Sequence, residues 1–237
     1  MQWLNHIRQW WNALPRTNLL SIVKGKGWPR KNVRRRTKEP TEIVLHESCS
    51  RSRKGTHRVL KRRGLSVEYT VDREGVVHEH ANPETHSCKH AGGKHNRRSV
   101  AIEVLNRYYG KHAKPDETVI KTCWAHRKLY ILPTRRQCEA VWQLVVHLDV
   151  LFETDLRRFP GVVDDQFRWG RSKHAAKAPG VKAHHRWHHA DALFAEHYCA
   201  CRDRGMISAE AYSWSKIAAG ALKRTTGMPD HDELDQG

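Results

Sequence analysis

Ile43-Val44-Leu45-His46 is a short apolar run that ends on a histidine, and Ser99-Val100-Ala101-Ile102-Glu103-Val104-Leu105 is a second one with a carboxylate inside it. Runs of this length, rich in β-branched residues and bounded by polar loops, read as buried strands. An ionisable side chain in such a strand is costly unless it is partnered or used. A third segment, His184-His185-Arg186-Trp187-His188-His189-Ala190-Asp191, follows a short strand at 181–183 and sets an imidazole and a carboxylate seven residues apart. His46, His184 and Asp191 together offer two nitrogens and one oxygen. That donor set suits a catalytic zinc site, where three protein ligands leave a fourth position for water. Glu103 would supply the acid/base, and the combination reads as a metal-dependent hydrolase.

Each residue also has a plainer use. His46 alone reads as a strand-end histidine with a hydrogen bond, Asp191 as the cap of the following helix, and Glu103 as a residue of an edge strand. His185 competes with His184. Their joint occurrence favours the metal reading.

The chain has 237 residues, enough for one sizeable core. No apolar stretch approaches the roughly 20 residues of a membrane-spanning helix. The N-terminus is broken by polar residues and lacks a secretory signal, so synthesis in the cytoplasm is expected, with export by other means if the protein acts outside. The formal charge of +18 predicts attraction to polyanions. Six cysteines, with no Cys-x-x-Cys pair, read as reduced and mostly buried thiols rather than a disulfide framework.

Residues 1–40 differ from the rest. Trp3, Leu4, Ile7, Trp10, Trp11 and Leu14 recur at helical spacing, and Lys24, Lys26, Arg30, Lys31, Arg34, Arg35 and Arg36 follow. They read as a basic, Trp-containing arm able to contact an anionic wall polymer or membrane surface; the alternative is a helix packed on the domain and a solvated linker. Further on, the pattern predicts a helix over 56–63, a hairpin over 65–80 turning at Asp72-Arg73-Glu74-Gly75, a polar loop over 82–96, and an irregular stretch over 111–133. Thr134 caps a helix to Phe152. A loop over 159–180 precedes helices at 191–204 and 208–223. The expected fold is α/β: a central mixed sheet flanked by helices, with the site at the strand ends. The expected divisions are an arm (1–40), a catalytic domain (41–205), and a C-terminal helix with a polar tail (206–237).

Four segments over about residues 41–200 resemble, in order, the type 2 zinc-dependent N-acetylmuramoyl-L-alanine amidases, a family that includes phage endolysins and peptidoglycan recognition proteins. They are Ile43–His46, Tyr69–Gly75, His90-Ala91-Gly92 with Asn96 and Ser99–Glu103, and Gly180–His184 with His189-Ala190-Asp191. The resemblance implies Zn2+ held by His46, His184 and Asp191, with His184 preferred over His185 by its register. It implies Glu103 as general base and His189 at the position usually held by a lysine that steadies the oxyanion. His90 and Asn96 are expected at the substrate groove, Asn96 also as a turn former. The chain departs from the pattern at His189, at Glu68, and at Cys88-Lys89 before His90.

The implied substrate is peptidoglycan or its muropeptides, cut between N-acetylmuramic acid and L-alanine, either in the wall after release or as cytoplasmic fragments. The competing readings are a non-catalytic peptidoglycan-binding module of the same fold and a basic nucleic-acid-binding protein. The second leaves the histidine–aspartate arrangement unexplained, so no obligate nucleic acid is expected. Oligomeric state is not legible.

Overall fold

A computed structural model describes residues 20–122, 125, 128–163, 166–167, 172–186 and 191–221. In chain order the strands are β1 (Ile22–Lys24), β2 (Val33–Arg35), β3 (Glu42–Glu47), β4 (Tyr69–Val71), β5 (Val77–Glu79), β6 (His86–Cys88), β7 (Ser99–Val104), β8 (Val119–Lys121), β9 (Leu129–Ile131), β10 (Val162–Val163), β11 (Gln166–Phe167) and β12 (Gly180–Ala183). The α-helices are α1 (Arg53–Arg62), α2 (Gly93–Arg98), α3 (Arg135–Phe152), α4 (Lys173–Lys177), α5 (Leu193–Asp203) and α6 (Ser208–Ala221). The central sheet has the order β1-β5-β4-β7-β3-β12. Only its β4–β5 hairpin pairs antiparallel; the other neighbours are parallel, so the sheet is mixed, as expected. Asp72 closes that hairpin through its side chain, which accepts from the Val76 N–H at 2.9 Å. Gly75 takes the positive φ of 84° that the turn requires.

The alternation of side chains divides this sheet into two unlike faces. One face presents Ile43, Leu45, Tyr69, Val71, Val77, Val100, Ile102, Val104, Val181 and Ala183, all within the apolar core. Helix α3 covers it with Val141, Leu144, Val145 and Leu148, and α5 and α6 add Leu193, Phe194, Tyr198, Ala211 and Ala219. The opposite face presents Glu42, His46, Glu68, Thr70, His78, Glu103 and Lys182, and it is buried too. It is roofed by α1, α2 and the β2–β6 ribbon, so β3 and β7 are buried at every position. Polar side chains there bond one another: Glu42 meets Arg98 Nε at 2.6 Å, His95 Nδ1 at 2.9 Å and Lys182 Nζ at 3.2 Å.

The boundary expected at residue 40 falls inside the folded unit. β1 extends the sheet edge beside β5. The Trp28 indole donates to the Val67 carbonyl at 2.7 Å and stacks on His57 with ring centroids 4.2 Å apart. β2 pairs with β6 inside the stretch expected as a loop, leaving Arg34 and Arg35 exposed while Arg36 is buried. Backbone pairing thus integrates a segment whose charge alone suggests a solvated arm. Residues 3–14, whose Trp-containing helical spacing suggests an amphipathic helix, lie outside the described residues. So does the tail beyond 221, but α6 belongs to the core, and Tyr212 donates to the Pro133 carbonyl at 2.8 Å. Within 111–133, expected as irregular, β8 and β9 form an antiparallel pair. Within 159–180, α4 and the start of β12 add order. Cys49, Cys88, Cys138, Cys199 and Cys201 are all free thiols. No helix among the described residues is long and apolar enough to cross a membrane.

Thr134 closes a capping box on α3: its hydroxyl accepts from the Gln137 N–H and the Gln137 side chain returns to the Thr134 N–H. Thr134→Ala is expected to cost about 1 kcal/mol. Leu144→Ala, at a fully buried site on the same helix, is expected to cost about 2–5 kcal/mol. Urea denaturation of both variants checks the ranking; equal losses would contradict it.

Candidate active site

The end of β3 brings His46 to the polar face, and the register sets Glu103 of β7 directly beside it. The same transverse row continues to Thr70 and then His78. β12 runs parallel to β3 and delivers His184 in the turn that follows it. That turn is fixed from behind by Arg186, which donates to the Glu196 carboxylate of α5 at 2.6 and 2.9 Å in a buried pair. Gly161 makes room for it, since a Cβ there would lie 2.3 Å from Arg186 Nε. Asp191 precedes α5 rather than capping it, because the helix starts at Leu193 with Ala192 as its N-cap residue.

His46, His184 and Asp191 thereby converge. One donor atom from each lies within 4.8 Å of the others, and all three side chains are buried. Asp191 Oδ2 is 3.3 Å from His184 Nδ1 and 3.6 Å from His46 Nδ1. Burial alone would raise the Asp191 carboxyl, but its hydrogen bonds to His184 and His46 outweigh that and hold it below the ordinary aspartate range. Burial lowers the His184 imidazole, against the pull of Asp191. An ionised carboxylate and a neutral imidazole are the forms in which these groups bind metal. Two imidazoles and one carboxylate, buried and converging, fit a divalent ion such as zinc.

Glu103 behaves differently from the other carboxylates of this face. Glu68 is held by Arg36 at 3.3 Å and by the N–H groups of Ala101 at 2.8 Å and Cys88 at 3.0 Å. Glu103 is 6% exposed and has no hydrogen-bond partner among the described residues. Burial, then the nearby Asp191 charge, pushes its carboxyl up to about 8, with Arg63 opposing. A carboxyl raised by these causes beside a donor cluster is a candidate acid/base.

His90 and Asn96, the expected groove residues, sit on the stretch between β6 and the end of α2, with Asn96 half-buried. His90 is buried, with Nδ1 3.0 Å from His46 Nε2 and Nε2 2.9 Å from the Ser99 hydroxyl. Ser99 in turn donates to the His95 carbonyl at 2.6 Å. The role this geometry suits is orienting the His46 ring from behind. The Asn96 side chain accepts from the His90 and Ala91 N–H groups at 2.9 and 2.8 Å, so it shapes the loop, as its turn chemistry suggests. His189 lies outside the described residues.

Sequence reasoning missed Glu47, which ends β3 one residue past His46. Its N–H donates to Asp191 Oδ1. Its carboxylate accepts from the Tyr130 hydroxyl at 2.7 Å, the Asn106 amide at 2.7 Å and the Ala192 N–H at 3.1 Å. Glu47 therefore clamps Asp191 from both the backbone and the following residue. Burial raises its carboxyl to about 8, against the hydrogen bonds from Asn106 and Tyr130. The strand seemed to end on His46; only a run carried one residue further would have marked a second carboxylate there.

The structure described as N-acetylmuramoyl-L-alanine amidase LysC from Clostridium intestinale URNW is similar at 15% identity, with 71% of this chain and 83% of that chain covered and a TM-score of 0.41. A mutant endolysin from Bacillus subtilis is similar at 21% identity, covering 58% and 80%, with a TM-score of 0.40. A mutant of Drosophila PGRP-LB in complex with tracheal cytotoxin is similar at 16% identity, covering 58% and 79%, with a TM-score of 0.38. A search of curated proteins found no match. The family model for N-acetylmuramoyl-L-alanine amidase matches residues 36–199, more than half of the chain and a span that holds His46, Glu103, His184 and Asp191. The chain belongs to the N-acetylmuramoyl-L-alanine amidase family.

Proposed function

We propose that the protein is a zinc-dependent hydrolase that cuts the amide bond between N-acetylmuramic acid and L-alanine in peptidoglycan. The observation that carries this reading is the convergence of His46, His184 and Asp191 one strand away from Glu103, a buried carboxyl with no partner of its own among the described residues. Family membership supports the substrate class.

His46, His184 and Asp191 would hold the zinc. When bound, the metal supplies Lewis acidity, polarising the scissile carbonyl and making a water acidic near neutral pH. His90 and Ser99 keep the His46 ring in one orientation, and Glu47 does the same for Asp191. Glu103 takes a proton from the attacking water and hands it to the leaving nitrogen. The raised carboxyl of Glu103 suits both halves of that task, because it can carry a proton near neutral pH and also give it up. His189, if protonated, would stabilise the oxyanion of the tetrahedral intermediate. Soluble muropeptides and intact wall both fit this chemistry.

Glu103→Gln is expected to lower kcat on muropeptides roughly 100- to 10,000-fold while leaving zinc content unchanged. Mass spectrometry of the released fragments and metal analysis check this together. Undiminished cleavage would remove Glu103 from the mechanism. Bound zinc without cleavage by the wild type would favour a peptidoglycan-binding module.

A base must be ionised to act, so kcat/KM falls as pH drops through the Glu103 pKa. Burial and Asp191 raise that carboxyl to about 8, and a bound dication lowers it. The acid limb is therefore expected between the ordinary glutamate value and about 8, and absent from the residual activity of Glu103→Gln. An unchanged limb in that variant would assign it to another group.

Glu47→Gln weakens the clamp on Asp191 without contacting the metal. Zinc affinity is expected to fall by roughly 10- to 100-fold, measured by competition with a chelating dye. Unchanged affinity would make Glu47 a purely structural residue.

A further inference from the structure

A cluster of basic side chains lies on and just before β2, on the ribbon it forms with β6. A cavity of about 590 Å³ opens there, lined by Arg30, Arg34, Arg35 and Arg36, with Glu84 as the one acid in its wall. Arg30, Arg34 and Arg35 are exposed, and their side chains have no ion pair or hydrogen bond among the described residues. Arg36 sits deeper, with its side chain 2% exposed. Its Nη2 donates to Glu68 at 3.3 Å and to the Ser99 carbonyl at 2.9 Å, and its Nε to the Pro83 and His86 carbonyls. Its Nη1 is buried with no acceptor among the described residues. Arg36 is already paired with Glu68, so the three exposed guanidiniums around the recess, faced by Glu84 alone, carry the excess positive charge that an anion would offset.

We infer that this cavity binds phosphate groups of a phosphodiester-linked polyol or sugar polymer of the cell wall. Guanidinium forks match phosphate oxygens two at a time, and several arginines suit a repeating anion better than a single carboxylate. The one ring in the cavity wall is the half-buried His86, whose Nδ1 lies 2.8 Å from the Thr85 hydroxyl, so the wall offers no succession of aromatic faces of the kind on which single-stranded nucleic acid stacks. Its one aliphatic side chain, Val33, is half-buried, so it offers no apolar edge to insert into a membrane. The choice of a wall polymer over other phosphate polymers rests on the amidase reading. Binding here would hold the enzyme on the wall through a site separate from the catalytic one.

The test is calorimetric titration of the full chain with purified poly(glycerol phosphate). The comparison ligands are inorganic phosphate, a single-stranded oligonucleotide of matched phosphate count, and vesicles of phosphatidylglycerol. The wild type is expected to bind the polymer more tightly than the other three. Arg34→Gln/Arg35→Gln is expected to weaken polymer binding about tenfold or more and to flatten its salt dependence, with melting temperature and zinc content unchanged. Lys111→Gln/Lys114→Gln, which removes the same charge at exposed sites outside the cavity, is expected to bind as the wild type does. Equal losses in the two double variants would reduce the effect to net charge and overturn the site. Tighter binding of the oligonucleotide or the vesicles would overturn the ligand, and no polymer binding would overturn both. Wild-type hydrolysis of soluble muropeptides is measured separately. Polymer binding that persists without hydrolysis would sink the amidase reading and leave the cavity standing.

Discussion

Burial of ionisable groups on one face of the central sheet is the constraint from which the other features follow. An ion removed from water costs several kcal/mol unless partners replace its hydration. On this face Glu42 is met by His95, Arg98 and Lys182, and Glu68 by Arg36 and two backbone N–H groups. Those pairs dictate the roof. α2 is placed so that His95 and Arg98 reach Glu42, and β2 so that Arg36 reaches Glu68. Glu103, in the same layer, has no such partner among the described residues, and it stands next to the place where three metal-binding side chains meet. The contrast between satisfied and unsatisfied carboxylates on one surface separates structure from chemistry.

The apolar face makes this arrangement tolerable. Its residues come from the same strands at alternate positions and pack against α3, α5 and α6. At about 25 cal/mol per Å² of apolar surface buried, such a core offsets the cost of ordering a polar face held largely by specific pairs. The two faces also divide mechanical roles. The core side fixes the strand positions, Asp191 through Glu47 and the turn after β12 through Arg186 and Glu196, while the polar layer fixes the His46 ring through His90.

Much of this was legible in the residues. Strand identity followed from apolar runs, the β4–β5 turn from Asp72 and Gly75, and α3 from Thr134 and its spaced aliphatics. His46, His184, Asp191 and Glu103 stood out because they are ionisable groups in or beside apolar strands. What stayed hidden depends on partners distant in sequence. β1 (Ile-Val-Lys) and β2 (Val-Arg-Arg) are three residues each within a basic stretch and gain their structure by pairing with β5 and β6, which no local pattern discloses. β8 and β9 are three-residue strands without clear alternation. His90 read as a residue of the substrate groove because its bonds to His46 and Ser99 appear only when β3 and β7 are side by side. Glu47 was hidden by the assumption that the strand ended on its histidine.

The central claim is a metal bounded by His46, His184 and Asp191 and adjacent to Glu103. Anomalous diffraction from crystals of the zinc-loaded protein, measured on both sides of the zinc absorption edge, tests that claim most directly. One strong peak within bonding distance of all three side chains is the predicted result. A peak elsewhere, or none in protein that has been supplied with zinc, would contradict it.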